Sequence, residues 1–235
     1  MENILGVLGL TYGTDKVYQH HYHIYYHDVL HHLRDKFFNM LEVGVQGFNS
    51  IDMWKQYFPV AKIYGIDIEK EYTDHRITVY RGDQSKKEDL EDVIQKMKVK
   101  CDFINDDGSH IPEHQLLTFD IFFSDLLNPG GVYIIEDIET SYWKRNGLYG
   151  YPTNYGYKHQ NSVIEKFKDV LDYINRRYMS DTDVETVKEK VKFLSEKTLQ
   201  SISSITFAQN CIIIKKKCES MMKKQDAPYY FSMNV

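Results

Sequence analysis

Two acidic motifs hold most of the chemistry that side-chain type and spacing can suggest in this 235-residue chain. Asp106-Asp107-Gly108-Ser109-His110 and Glu136-Asp137 each close a short apolar run. If those runs are neighbouring parallel strands, up to four carboxylates converge at their ends. Their repulsion raises one or more pKa values unless a divalent cation supplies the counter-charge. All-oxygen ligation favours Mg²⁺, with Mn²⁺ or Ca²⁺ as alternatives, over zinc. His110 lies three residues beyond Asp107, and an imidazole of pKa roughly 6.5 can take a proton near neutral pH. Helix capping ahead of Pro112 is the competing account of Asp106 and Asp107.

A second constellation precedes these. Glu42-Val43-Gly44-Val45-Gln46-Gly47 places an acid and two glycines at a strand-to-helix turn, where a ligand can approach the backbone. It lacks the full G-x-G-x-x-G, so a pyrophosphate cradle is disfavoured. Asp67 ends the next apolar run, where a carboxylate can accept hydrogen bonds from both ribose hydroxyls. Gly82-Asp83-Gln84 adds a third polar ending. Together the three point to an adenosine-containing ligand at the carboxyl edge of a sheet; solvated turns are the plainer alternative. His20, His23, His27 and His31 imitate a zinc-binding helix by spacing, but Tyr22, Tyr25 and Tyr26 interleave with them. A partly exposed aromatic helix is the preferred reading.

The elements that must position these groups alternate from Phe37 onward, which is the pattern of a parallel sheet covered by helices. Strands are expected over Phe38–Val43, Ala61–Asp67, Ile77–Tyr80, Cys101–Asp106 and Val132–Glu136. Helices are expected through Ile51, Trp54 and Phe58, then over 86–97, 116–127, 162–178 and 184–199. The Gly-, Tyr- and Asn-rich stretch 140–158 lacks a period and is long for a connection, which suits a substrate loop. Two β-rich runs within 202–216, joined at Gln209-Asn210, read as a hairpin closing one sheet edge. The whole chain, 1–235, is expected to be a single domain with a helical N-terminal segment over 1–36.

Composition narrows the function. A net charge of −5, from 29 basic and 34 acidic residues, argues against a general nucleic-acid binder. No apolar stretch approaches the roughly 20 residues that span a bilayer, so no membrane partner is expected. Cys101, Cys211 and Cys218 are odd in number without C-x-x-C spacing, which fits a reducing, cytoplasmic compartment.

In order and at compatible spacing, the chain carries Tyr12-Gly13-Thr14-Asp15-Lys16, His20-x-Tyr22 and Tyr26, and Leu41-Glu42-Val43-Gly44-Val45. Trp54 with Phe58-Pro59, Tyr64-Gly65-Ile66-Asp67-Ile68 and Gly82-Asp83-Gln84 come next. Then come Asp106 to His110, Pro129-Gly130-Gly131, Ile135-Glu136-Asp137 and Thr140-Ser141-Tyr142-Trp143. Over residues 11–143 this resembles the S-adenosylmethionine-dependent, metal-dependent sugar O-methyltransferases, typified by the macrolide 2''-O-methyltransferase of mycinamicin biosynthesis. The cephalosporin 7α-methoxylation protein is a more distant likeness. The runs 106–110 and 135–143 are the specific ones, and residues beyond Trp143 match weakly.

The resemblance implies an α/β fold of the class I methyltransferase (Rossmann-like) kind: a seven-stranded sheet of order 3-2-1-4-5-7-6 with helices on both faces. It implies that Glu42, Gly44, Asp67 and Asp83, with Asp106, Thr14 and Lys16, hold S-adenosylmethionine. Asp107, Glu136 and Asp137 would bind Mg²⁺, and His110 would be the general base. The implied reaction methylates a hydroxyl of a sugar-containing small molecule, with Mg²⁺ coordinating two neighbouring hydroxyls. A homodimer or higher homo-oligomer is expected. A catechol-type O-methyltransferase is the nearest rival, and a non-catalytic cofactor-binding scaffold comes from a different class. An RNA cap ribose methyltransferase lacks its Lys-Asp-Lys-Glu set here, and a metal-dependent hydroxylase lacks its facial triad.

Overall fold

The structure is a computed structural model that describes residues 3–145 and 153–222. It opens with three short helices, α1 (Ile4–Tyr12), α2 (Asp15–Tyr18) and α3 (His23–Leu30). Then follow β1 (Asn39–Val43), α4 (Asn49–Tyr57), β2 (Lys62–Asp67), β3 (Tyr72–Thr73), β4 (Ile77–Arg81) and α5 (Lys87–Met97). Next are β5 (Cys101–Asp106), α6 (Pro112–Asp125), β6 (Leu127–Ile135), α7 (Val163–Ile174) and α8 (Asp181–Lys190). Last come α9 (Glu196–Ser201), β7 (Ile202–Ala208), β8 (Cys211–Lys216) and α10 (Glu219–Met222).

The strands form one sheet in the order β3-β4-β2-β1-β5-β6-β8-β7. β4, β2, β1, β5 and β6 run parallel, whereas β8 is antiparallel to β6 and β7 to β8. Among the described residues the sheet thus has eight strands where seven were expected. The extra one, β3, is a two-residue antiparallel edge on β4, and without it the order is the expected 3-2-1-4-5-7-6.

Alternation along the strands divides the core between the two faces. Leu41, Val43, Ile104, Tyr133 and Ile135 pack with residues of α5, α6 and α7 on one face. Met40, Ile63, Phe103, Val132 and Ile134 pack with residues of α3 and α4 on the other. Because both faces are covered, the strand ends are left as the place where polar groups can gather.

Local chemistry explains where the elements stop. Gly13 takes a left-handed conformation (φ 65°) and its N–H closes α1 on Gly9 and Leu10, turning the chain into α2. α6 begins at Pro112 instead of the expected Leu116, because proline is tolerated in the first helical turn. The expected helix over 184–199 is two helices, each started by a serine whose hydroxyl accepts a backbone N–H: Ser180 from Asp183 and Ser195 from Thr198. β6 starts at Leu127, with Asn128 to Gly131 absorbed in a register shift against β5. Of the loop expected over 140–158, residues 146–152 lie outside the described residues. The flanks are joined by Tyr155 donating to the Trp143 carbonyl and Gly156 to that of Ser141. Among the described residues no helix is long and apolar enough to cross a membrane.

Candidate active site

The carboxyl ends of β1, β5 and β6 meet where the chain leaves the sheet. Glu136 N–H donates to the Asp106 carbonyl and Asp107 N–H to that of Val43, at 2.9 Å each, which locks the strand exits together. Gly44 sits in this junction at φ +82°, and a Cβ there would overlap the Asp107 carbonyl. The approach that demands glycine is therefore made by the protein's own backbone. Asp137 and His110 also hold positive φ, 52° and 55°, a conformation uncommon outside glycine.

Asp107, His110 and Asp137 each offer a donor atom within 4.8 Å of the others. His110 Nε2 lies 3.6 Å from Asp137 Oδ2 and 4.0 Å from Asp107 Oδ1. The other oxygen of Asp137 is held by the Tyr22 hydroxyl at 2.5 Å and Asn210 Nδ2 at 3.2 Å. Burial lowers the pKa of His110 below its ordinary value, so the neutral imidazole dominates at pH 7.

Glu136, which the resemblance groups with the metal ligands, stands beside Asp107, the two carboxylates sharing the Lys16 ammonium. Its Oε1 accepts from the Tyr26 hydroxyl and from Asn105 Nδ2 (2.7 Å), and its Oε2 pairs with Lys16 at 2.8 Å. Burial pushes its pKa up to about 7, against the opposing pull of Lys16.

The residues assigned to the cofactor are spread over three environments. Glu42 is fully buried and accepts from Ser50 (2.7 Å), Trp54 and Asn105 (3.3 and 3.2 Å), with Lys16 at 3.3 Å. Asp106 is fully buried between Gln84 Nε2 and the Tyr133 hydroxyl, and burial raises its pKa to about 7. Thr14 is buried at the start of α2, and Lys16 turns its ammonium onto Asp107, Glu136 and Glu42. Asp67 stands at the edge: one oxygen accepts from Val45 and Gln46 N–H and the other from Glu69 and Lys70 N–H, at 2.8–3.0 Å. Burial alone would raise its pKa, but these four donors hold it below the usual carboxylate range. Asp83 lies apart, capping the turn into α5 through Ser85 and Lys86.

Several site residues carried no role in the sequence reading. Tyr22 and Tyr26, expected on a partly exposed helix, are buried, with hydroxyls on Asp137 and Glu136. Their four-residue spacing puts both rings on one helical side, and that is the signal that could have found them. Asn105 is a buried polar residue inside an apolar strand, which is a comparable signal. Asn210, in the hairpin turn, gave none.

No protein-family model matches the chain. It is 36% identical over 151 residues to the 8-demethyl-8-alpha-L-rhamnosyl tetracenomycin-C 2'-O-methyltransferase of Streptomyces olivaceus, covering 59% of this chain and 39% of that protein. It is 33% identical over 180 residues to the L-olivosyl-oleandolide 3-O-methyltransferase of Streptomyces antibioticus, covering 72% and 45%. The MycE methyltransferase of mycinamycin biosynthesis, solved with Mg, SAH and mycinamycin VI, superposes with a TM-score of 0.76 at 25% identity over 96% of this chain and 57% of that one. The chain spans less than half the length of these two curated relatives. The fold is that of the class I methyltransferases, and the chain's relatives are sugar O-methyltransferases of macrolide and tetracenomycin biosynthesis.

Proposed function

We propose that this chain is an S-adenosylmethionine- and Mg²⁺-dependent O-methyltransferase acting on a sugar hydroxyl of a glycosylated small molecule. The observation that carries the reading is the convergence of Asp107, Asp137 and His110 at the sheet's carboxyl edge, in a chain with these relatives. Two carboxylates, backed by a further surplus of buried acid, suit a hard divalent cation, and the imidazole beside them serves as the base. Asp107 and Asp137 would hold Mg²⁺, which when bound acidifies and orients neighbouring hydroxyls.

The chain's own residues supply the rest. His110 would take the acceptor proton at Nε2 as the acceptor oxygen bonds to the methyl carbon and the methyl–sulfur bond breaks, its electron pair leaving with S-adenosylhomocysteine, and the buried, neutral ring is in the form that can do so. Tyr22 and Asn210 fix one oxygen of Asp137 and leave the other toward His110. Asp67 is the ribose-facing candidate, kept ionised by four backbone donors. Holding both reactants in line accounts for most of the remaining rate gain. The three free cysteines support a reducing, cytoplasmic setting.

The test is transfer of a labelled methyl group from S-adenosylmethionine to a panel of glycosides, nucleotide sugars and catechols. Label should enter glycosides, vanish in excess chelator and return with Mg²⁺; Asp107→Asn and Asp137→Asn should each lose activity by at least 10²-fold, in the range of a lost catalytic electrostatic group. Full turnover in chelator would overturn the metal reading, and transfer to catechols alone would move the acceptor class.

A further inference from the structure

One ammonium serves three strands in this site. Gly13 reverses the chain after α1, the Thr14 N–H bonds the Gly9 carbonyl at 3.0 Å, and α2 then points Lys16 into the protein, where it is 1% exposed. Its Nζ contacts Asp107 Oδ2 at the end of β5, Glu136 Oε2 (2.8 Å) at the end of β6 and Glu42 Oε1 (3.3 Å) on β1.

Glu42 and Glu136 are as dry as the core, at 0% and 1% exposure. Their other partners, Ser50, Trp54, Asn105 and Tyr26, are neutral donors, so none of these offsets charge. Buried carboxylates without a counter-charge take up protons or force the structure open.

We propose that Lys16 is the resident counter-cation of the site: it holds Glu42, Asp107 and Glu136 together before any divalent ion arrives, and it competes with that ion for Asp107. The first part stands on the contacts alone; the competition rests on the metal reading above. Lys16 is thereby assigned to the acidic cluster in place of the cofactor contact that the sequence suggested. The consequence is a site assembled in advance, in which the arriving ion meets Asp107 already neutralised in part.

Lys16→Met tests this, because methionine keeps an apolar stem and removes the charge. In excess chelator the variant should melt roughly 10 °C below the unaltered chain, the scale expected for one partner lost from a buried ion cluster. Lys16→Met combined with Glu136→Gln, which removes a charge from each side, should recover at least half of that loss. By calorimetry Mg²⁺ alone should bind Lys16→Met several-fold more tightly than it binds the unaltered chain, and should raise its melting temperature further.

A Lys16→Met variant melting within about 2 °C of the unaltered chain in chelator, or a double variant no better than the single, would overturn the counter-cation role. Equal Mg²⁺ affinity in the two chains would overturn the competition. If Lys16→Met does not fold, the double variant decides: folding supports the proposal and failure to fold overturns it. Absence of Mg²⁺ binding by the unaltered chain would sink the metal reading while leaving the chelator result intact.

Discussion

Among the described residues two lysines are buried, at opposite edges of the sheet, and their partners differ in kind. At the carboxyl edge Lys16 faces three carboxylates from three strands. At the other edge Lys216, 7% exposed, donates to the carbonyls of Phe123 (2.5 Å), Ser124 (3.1 Å) and Leu127 (2.8 Å), where α6 ends and β6 begins. Formal charges drive the Lys16 pKa up, whereas burial, with Lys100 and Lys197 nearby, brings that of Lys216 down to about 8. Carbonyl dipoles at a helix end satisfy an ammonium's hydrogen bonds without neutralising it. One edge has therefore retained full charges that an apolar core would dispense with, while the other uses its lysine as a clasp between a helix end and the C-terminal hairpin. The difference separates a region built for chemistry from one built for stability.

That separation can be broken by experiment, most severely at His110. Replacing it with Ala should lower the methyl-transfer step by roughly 10²- to 10⁴-fold, about 3 to 5 kcal/mol of barrier, with little change in melting temperature. Single-turnover assays at saturating Mg²⁺ measure this directly. If the variant loses Mg²⁺ affinity but keeps its rate once the ion is saturating, His110 is a ligand instead of the base. The unaltered chain should show the matching pH dependence. Its active form is the neutral imidazole, so the rate falls as pH drops through the His110 pKa. Burial keeps that pKa, and hence the acid limb, below about 6.5.

Lys216→Met probes the opposite edge. Three carbonyls lose their donor, so urea unfolding should show a loss of about 1–3 kcal/mol, with the transfer rate per folded molecule unchanged. A rate defect of the size seen for His110 would erase the distinction between the two edges. The smallest effect is expected at Asp67, which is at neither lysine. Asp67→Ala should weaken S-adenosylmethionine binding several-fold, about 1 kcal/mol, as read by calorimetry. Unchanged affinity would remove Asp67 from the cofactor's contacts.

Legibility followed the range of the forces involved. The five parallel strands and the hairpin were readable because each is an apolar run bounded by Gly, Pro or charged residues, and alternation is a local property. The apolar period runs through 184–199 without a break, so the split into α8 and α9 is legible only in Ser195, which caps α9 within three residues. At the site, the motif ending in His110 and the pair Glu136-Asp137 were marked out by composition. Which of two adjacent acids faces His110 was not, since neighbouring residues leave a strand end in opposite directions. The geometry turns Asp137 toward His110 and Glu136 toward Lys16.

By itself the sequence determined the alternation that buries both sheet faces, the acidic strand endings and the helix-stopping Gly13, all set by contacts within a few residues. Only the tertiary structure decided that Lys16, 91 residues from Asp107 and 120 from Glu136, closes the acidic cluster. It also decided that Asn210 reaches back across 73 residues to Asp137. Such pairings depend on which strand ends lie side by side, and strand order is settled by packing over the whole sheet and by no local pattern.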